Sequence, residues 1–204
     1  MKKLSMLLAV LLLAGCTKPV STTSTASSQE TASEKSNQTG CAAFEECETN
    51  EDEAALYESL LDAENSPFEK ITMEDLVSYF DNKESHIVFM GFRDCPWCQD
   101  LMPVLNEVAI EKNVKIEYVN VRPENTRESD LRNEDNPTYV RLQEILGDVS
   151  NDGSNKIYVP YVAVIRDGQV VDYMLDLGYD AESRQITSEE IEEYRTKLNE
   201  LFSK

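Results

Sequence analysis

Residues 92–98 read Phe-Arg-Asp-Cys-Pro-Trp-Cys, with an apolar run before them and an amphipathic helical pattern after them. A cysteine pair of this spacing at a strand-to-helix junction constrains the fold more than any other feature of the chain. If a helix begins just after Cys95, that residue is its cap, Pro96 takes the first helical position and Cys98 the third. Both sulfurs then lie at one end and on one side of the helix. Pro96 suits its place, because its missing N–H would have been an orphan donor anyway. The free N–H groups of Trp97 and Cys98 point toward the Cys95 sulfur, and with the helix dipole they favour a thiolate there. Since the thiolate is the species that attacks a disulfide, Cys95 is the expected nucleophile. Cys98 is the expected resolving thiol, which cleaves the mixed disulfide.

Two other uses of the pair rank lower. Zinc needs four ligands, usually two such pairs or one pair with two histidines. The chain has one histidine, His86, and the five-residue gap between Cys41 and Cys47 is wider than the usual metal spacing. A purely structural disulfide at a helix start would be strained and reducible. No metal or organic cofactor is implied, because the cysteines themselves carry the electrons.

The N-terminus indicates where such chemistry would take place. Met1-Lys2-Lys3 followed by the apolar run 4–14 has the charged and hydrophobic parts of a secretory signal and is too short to span a bilayer. The run ends Leu13-Ala14-Gly15-Cys16. This resembles the lipobox of bacterial lipoproteins, in which cleavage before the cysteine leaves it acylated. The resemblance implies a signal peptide at 1–15, a lipid on Cys16, and a domain on the extracytoplasmic face of the cell membrane, where disulfides are permitted. The chain carries 39 acidic against 19 basic residues, a net charge of −20. That argues against nucleic acid and anionic headgroups as partners and reads otherwise as a solvated surface.

After the lipidation site, 16–40 is polar and nearly free of apolar side chains, so it cannot offset its chain entropy and reads as a flexible tether. Such a coil spans on the order of 25–30 Å. An acidic extension follows at 41–66, with a short helix over 53–63 using Leu56, Leu60 and Leu61. From 67 to 204 the pattern is that of one core-bearing α/β domain. The expected elements are a strand at 68–71 and a helix at 73–82 capped by Thr72 and Asp75, then a buried strand at 86–92. The cysteine helix runs to about 112 with Pro103 kinking it. A strand at 115–122, a polar loop at 123–135 and a helix opened by Asn136-Pro137 and stopped by Gly147 follow. Strands at 158–165 and 169–175 are joined by Arg166-Asp167-Gly168, and Thr187 with Glu190 caps a last helix.

That order, with the cysteines after the second strand, resembles the thioredoxin fold. The segment Cys98-Gln-Asp-Leu-Met-Pro103-Val-Leu105-Asn-Glu107-Val-Ala109 is similar to the thioredoxin active-site helix, its internal proline included. Val159-Pro160-Tyr-Val-Ala-Val-Ile-Arg-Asp-Gly168-Gln-Val170 is similar to the segment carrying the family's cis-proline, strand and hairpin. The resemblance implies a central mixed sheet flanked by helices, with an added helical segment before the cis-proline strand. It also implies a cis bond before Pro160, which would lie against the two sulfurs. The Val159 backbone would then pair with an extended substrate segment. A trans proline opening a strand is the alternative.

The chain departs from the family in two ways. Where thioredoxins place a buried acid and a lysine, this chain holds Phe89 and Tyr118, so that proton-handling pair is missing. The Pro-Trp dipeptide is closer to glutaredoxins and periplasmic oxidases than to thioredoxin. A Cys-Pro-aromatic-Cys motif also resembles that of the thioredoxin-like bacteriocin transport accessory proteins.

Several residues keep two readings. Arg93 and Asp94 precede the nucleophile with opposite effects on its thiolate. Trp97 either packs against a client peptide or covers its own domain. The long segment 123–155, with its extra helix, is expected to wall one side of a substrate groove, while His86 is expected to pair locally. Once Cys16 is lipidated four cysteines remain, and Cys41 with Cys47 forms either an inert disulfide or a second redox pair.

The expectation is a membrane-anchored thiol-disulfide oxidoreductase acting on cysteine-containing exported proteins or peptides, with a membrane redox partner as a further expected contact. Cys95 attacks, Cys98 resolves, and Pro96, Trp97, Val159 and Pro160 contact the client. Whether it donates or removes disulfides stays open. The alternative is a non-catalytic lipoprotein of this fold that binds exported peptides or assists a secretion machine.

Overall fold

The computed structural model of the chain describes residues 51–204, so Cys16, Cys41, Cys47, the signal-like run and the tether lie outside the described residues. The five strands form where the sequence has short β-branched or aromatic runs: β1 (Phe68–Ile71), β2 (His86–Gly91), β3 (Ile116–Asn120), β4 (Tyr161–Arg166) and β5 (Gln169–Met174). β2 and β4 are apolar almost throughout and buried on both faces, as befits the middle of a covered sheet. Their sheet order is β1-β3-β2-β4-β5. β1 and β2 each run parallel to β3, whereas β4 runs antiparallel to both β2 and β5.

Five helices flank this mixed sheet: α1 (Glu51–Asp62), α2 (Met73–Asp81), α3 (Pro96–Lys112), α4 (Pro137–Leu146) and α5 (Ser188–Leu201). The chain moves across the sheet from β1 to β2 and turns back to reach β3. Right-handed crossovers therefore put α2 and α3 on opposite faces. The packing agrees, since α3 meets α1 and α5 while α2 meets α4.

Local chemistry sets the helix ends. Thr72 and Thr187 each form a capping box, with Asp75 and Glu190 respectively, and Asn136 caps α4 ahead of Pro137. Asn113 ends α3 in the left-handed conformation. α3 continues through Pro103. In the β4–β5 hairpin Gly168 has φ +70°, and a Cβ there would meet the Phe80 carbonyl oxygen at 2.5 Å. The turn thus packs tightly on the C-terminal end of α2, where Glu84 accepts the Gly168 N–H at 2.9 Å.

Two elements differ from the sequence expectation. α1 buries Ala54, Tyr57 and Leu61, and leaves Leu56 exposed. Tyr57 belongs to the main core, so packed structure begins well before residue 67. β4 starts only at Tyr161, and residues 158–160 are irregular. Proline has no N–H for a ladder, and strand pairing resumes just beyond Pro160. Among the described residues no helix is long and apolar enough to cross a membrane.

Candidate active site

β2 ends at Gly91, and a short turn leads to Cys95 at the N-terminus of α3. Cys95 is the N-cap, in extended conformation, with Pro96 directly after it. Its sulfur accepts the Cys98 backbone N–H at 3.2 Å, and its carbonyl accepts the Gln99 N–H at 2.9 Å. A helix N-terminus thus directs a donor at the first sulfur, which favours negative charge there. Both thiols are free. Cys98 is fully buried and Cys95 is 3% exposed. Burial pushes the Cys98 thiol well up, and its contact with Cys95 adds to this, so Cys98 is held as a thiol.

The irregular segment before β4 comes to the same place. The Val159–Pro160 peptide bond is cis. The Cys95 thiol faces the Val159 carbonyl oxygen at 3.9 Å. Four of the residues singled out by motif, Cys95, Cys98, Val159 and Pro160, therefore converge at one end of the sheet although about 60 residues separate the two segments.

Trp97 is half-buried, and its indole N–H donates to the Tyr179 carbonyl at 2.8 Å. The ring thus packs on its own domain. Tyr179 in turn donates its hydroxyl to Asp100 on α3 at 2.6 Å. Burial pushes the Asp100 carboxyl up to about 6, against that hydrogen bond. Arg184 lies over the Tyr179 ring at 5.0 Å and pairs with Glu190.

The two flanks of the thiols differ in character. On one flank, Phe89 and Tyr118 are direct neighbours across β2 and β3, with ring centroids 5.5 Å apart. Tyr57 on α1 completes the group and donates to the Tyr118 hydroxyl at 3.1 Å. Burial raises the pKa of both phenols, so this flank is neutral. Gly91 makes the packing feasible, because a Cβ there would come within 2.7 Å of the Phe89 ring and 3.1 Å of the Tyr57 hydroxyl.

The other flank is charged. Arg132, in the segment after β3, grips Asp130 through Nε at 3.0 Å and Nη2 at 2.8 Å. Arg122 reaches the same carboxylate at 2.8 Å and lies 4.2 Å from the centre of the Phe92 ring. Burial acts to raise the Asp130 carboxyl, yet the two guanidiniums outweigh it and hold the group down at about 2. Arg93 pairs with Asp94 at 3.0 Å and with Glu51 at 2.7 Å. Burial raises the Asp94 carboxyl, and Arg93 works against that.

The segment at 123–155 borders the cis-proline turn. Tyr139 on α4 accepts the Ile157 N–H at 3.2 Å, and Arg132 donates to the Ile157 carbonyl at 3.4 Å. His86 pairs locally with Glu84 and Glu117 and stacks on Tyr79. Among the described residues no group of three or more metal-ligating side chains comes together.

Tyr57, Asp100, Asp130, Arg132 and Tyr179 do not emerge from the motifs. Tyr57 had a readable signal, since Ala54, Tyr57 and Leu61 recur at helical spacing. Arg132 and Asp130 had none, because they sit in a polar stretch without periodicity. No protein-family model matches the chain.

Proposed function

We propose that this chain is a thiol-disulfide oxidoreductase of the thioredoxin fold, anchored by a lipid on Cys16 to the outer face of a bacterial cell membrane. One observation carries the reading: a free cysteine caps a helix, accepts the amide of a second cysteine one turn on, and faces the carbonyl beside a cis-proline. Cys95 as thiolate attacks one sulfur of a client disulfide, the other client sulfur leaves, and Cys98 then displaces the client. One client S–S bond is broken, one Cys95–Cys98 bond forms, and two electrons pass to the client. Run in reverse, the same steps donate a disulfide. The Val159 carbonyl offers an extended client segment a backbone acceptor next to the reacting sulfur.

The test is trapping. A Cys98→Ser variant produced in cells holds exported proteins in mixed disulfides on Cys95, seen as reductant-sensitive adducts. A Cys95→Ser variant forms none. Absence of adducts on Cys98→Ser contradicts the reading.

The burial of Cys95 favours a second reading, a non-catalytic lipoprotein that binds exported peptides or serves a secretion machine. Full function of a Cys95→Ser, Cys98→Ser double variant is its signature.

A further inference from the structure

Arg132 is a long cationic side chain with only 15% of its surface exposed, in a chain of net charge −20. Burying a guanidinium is expensive unless it is paired, and Asp130 pairs it through both carboxylate oxygens. The pairing is unbalanced, because Arg122 binds that same carboxylate. Within this cluster of three, one negative charge therefore faces two positive ones.

Location gives the Arg132 charge its role. The Arg132 guanidinium lies 5.7 Å from the centre of the Phe92 ring and bonds the Ile157 carbonyl. Phe92 accepts the Cys95 N–H at 3.3 Å through its carbonyl. Ile157 lies two residues before Val159, whose carbonyl faces Cys95. Arg132 thus sits between the two segments that hold the sulfurs. Its charge acts on both thiols and opposes the effect of burial on Cys98.

The remaining ionisable groups around the thiols do not duplicate it. Arg93 meets two carboxylates, Asp94 and Glu51, a group with a negative excess whose Asp94 also feels Arg122, so among these guanidiniums it is Arg132 whose charge acts on the thiols. On α3, Asp100 is bonded to Tyr179. Tyr57 and Tyr118, facing from α1 and β3, are neutral. The Arg132 charge adds to the helix N-terminus in stabilising thiolate over disulfide.

We propose that Arg132, clamped by Asp130, is a positioning residue for the dithiol: it joins the Phe92 and Ile157 segments and its charge makes the Cys95–Cys98 disulfide more oxidising. The proposal deepens the oxidoreductase reading and rests on it. A positive charge lowers the energy of the thiolate, hence of the reduced form, and leaves the neutral disulfide unaffected. The role Arg132 plays is electrostatic, so a change of opposite sign in the same cluster has the opposite effect.

The test compares Arg132→Met with Asp130→Asn in the full chain, solubilised in detergent and equilibrated with reduced and oxidised glutathione. In that equilibrium Cys95 attacks oxidised glutathione, Cys98 closes the disulfide, and two glutathione thiols are released. Differential alkylation and mass spectrometry of the peptide carrying Cys95 and Cys98 give the equilibrium constant. Arg132→Met shifts it about tenfold toward the disulfide, or ~30 mV toward a weaker oxidant. Asp130→Asn shifts it severalfold the other way. The pH midpoint of iodoacetamide alkylation rises in the first variant and falls in the second. Arg132→Lys, which keeps the charge and loses the fork, stays within about threefold of the unaltered chain. Alkylation needs no redox turnover, so where reversible disulfide formation fails, and the oxidoreductase reading with it, opposite alkylation shifts still show the Arg132 charge acting on the thiol. Shifts of the same sign, or no shift in either midpoint, overturn it.

Discussion

The two flanks of the cysteine pair are built by opposite means. Toward α1 and β3, Tyr57, Phe89 and Tyr118 form a neutral aromatic group. Toward the segment after β3, Arg122, Asp130 and Arg132 form a charged one. In the first, Phe89 and Tyr118 stand where the thioredoxin resemblance would place an acid and a lysine. The second supplies charge from a stretch that the minimal fold does not need. The difference teaches that one cysteine pair can lie between a neutral aromatic group supplied by the sheet and α1 and a charged group supplied by a loop, each open to change by itself.

Breaking the aromatic flank has the largest expected effect. Tyr57→Ala removes a large buried side chain from the core and lowers stability by about 3–5 kcal/mol in urea denaturation at pH 7. Wild-type stability in that variant would mean that α1 is not part of the core.

The charged flank sharpens the contrast through pH. Asp130 titrates at about 2 in the fold, below its unfolded value of about 3.9. Its contribution is therefore present above about pH 4 and lost as pH falls toward 2. With its partial exposure discounted, Asp130→Asn lowers stability by about 1–2 kcal/mol at pH 7. The deficit shrinks in denaturation series carried down through that window.

A smaller effect comes from one hydroxyl. Tyr118→Phe leaves the buried Tyr57 O–H without its acceptor and costs about 1–2 kcal/mol. Removing both hydroxyls, as Tyr57→Phe with Tyr118→Phe, costs less than the single change, since no donor is stranded. A strictly additive cycle would show that the bond plays no part.

The smallest effect has the opposite sign. Asp100 titrates at about 6 in the fold, above its unfolded value of about 3.9, so its penalty to stability builds as pH rises from about 4 and is fully present above about 6. Asp100→Asn keeps an acceptor for Tyr179 and raises stability by about 1 kcal/mol at pH 7 after allowance for solvent screening. The gain fades as pH drops from 6 toward 4, which thermal melts across that range measure.

Much of this arrangement was legible in the sequence because it rests on local chemistry. Thr72 with Asp75, Thr187 with Glu190 and Asn136 before Pro137 marked three helix starts by side chains that bond the backbone beside them. The apolar runs at 86–92 and 158–165 marked two strands, the mixed sheet was implied by the thioredoxin resemblance, and Pro96 between the cysteines marked the start of α3. What escaped depends on distant partners. Tyr57 lies 61 residues from Tyr118, and the tie of Trp97 to Tyr179 spans 82. Asp130 and Arg132 look like any loop charges until the chain folds them against Phe92 and Ile157.

The central claim is that Cys95 and Cys98 form a working redox pair, and a glutathione titration of the full chain tests it most directly. The Cys95–Cys98 peptide is quantified by differential alkylation and mass spectrometry, so that Cys41 and Cys47 do not enter the reading. The account predicts a reversible two-electron transition with one thiol-to-disulfide midpoint. Thiols that stay reduced throughout, or that oxidise without returning, contradict it.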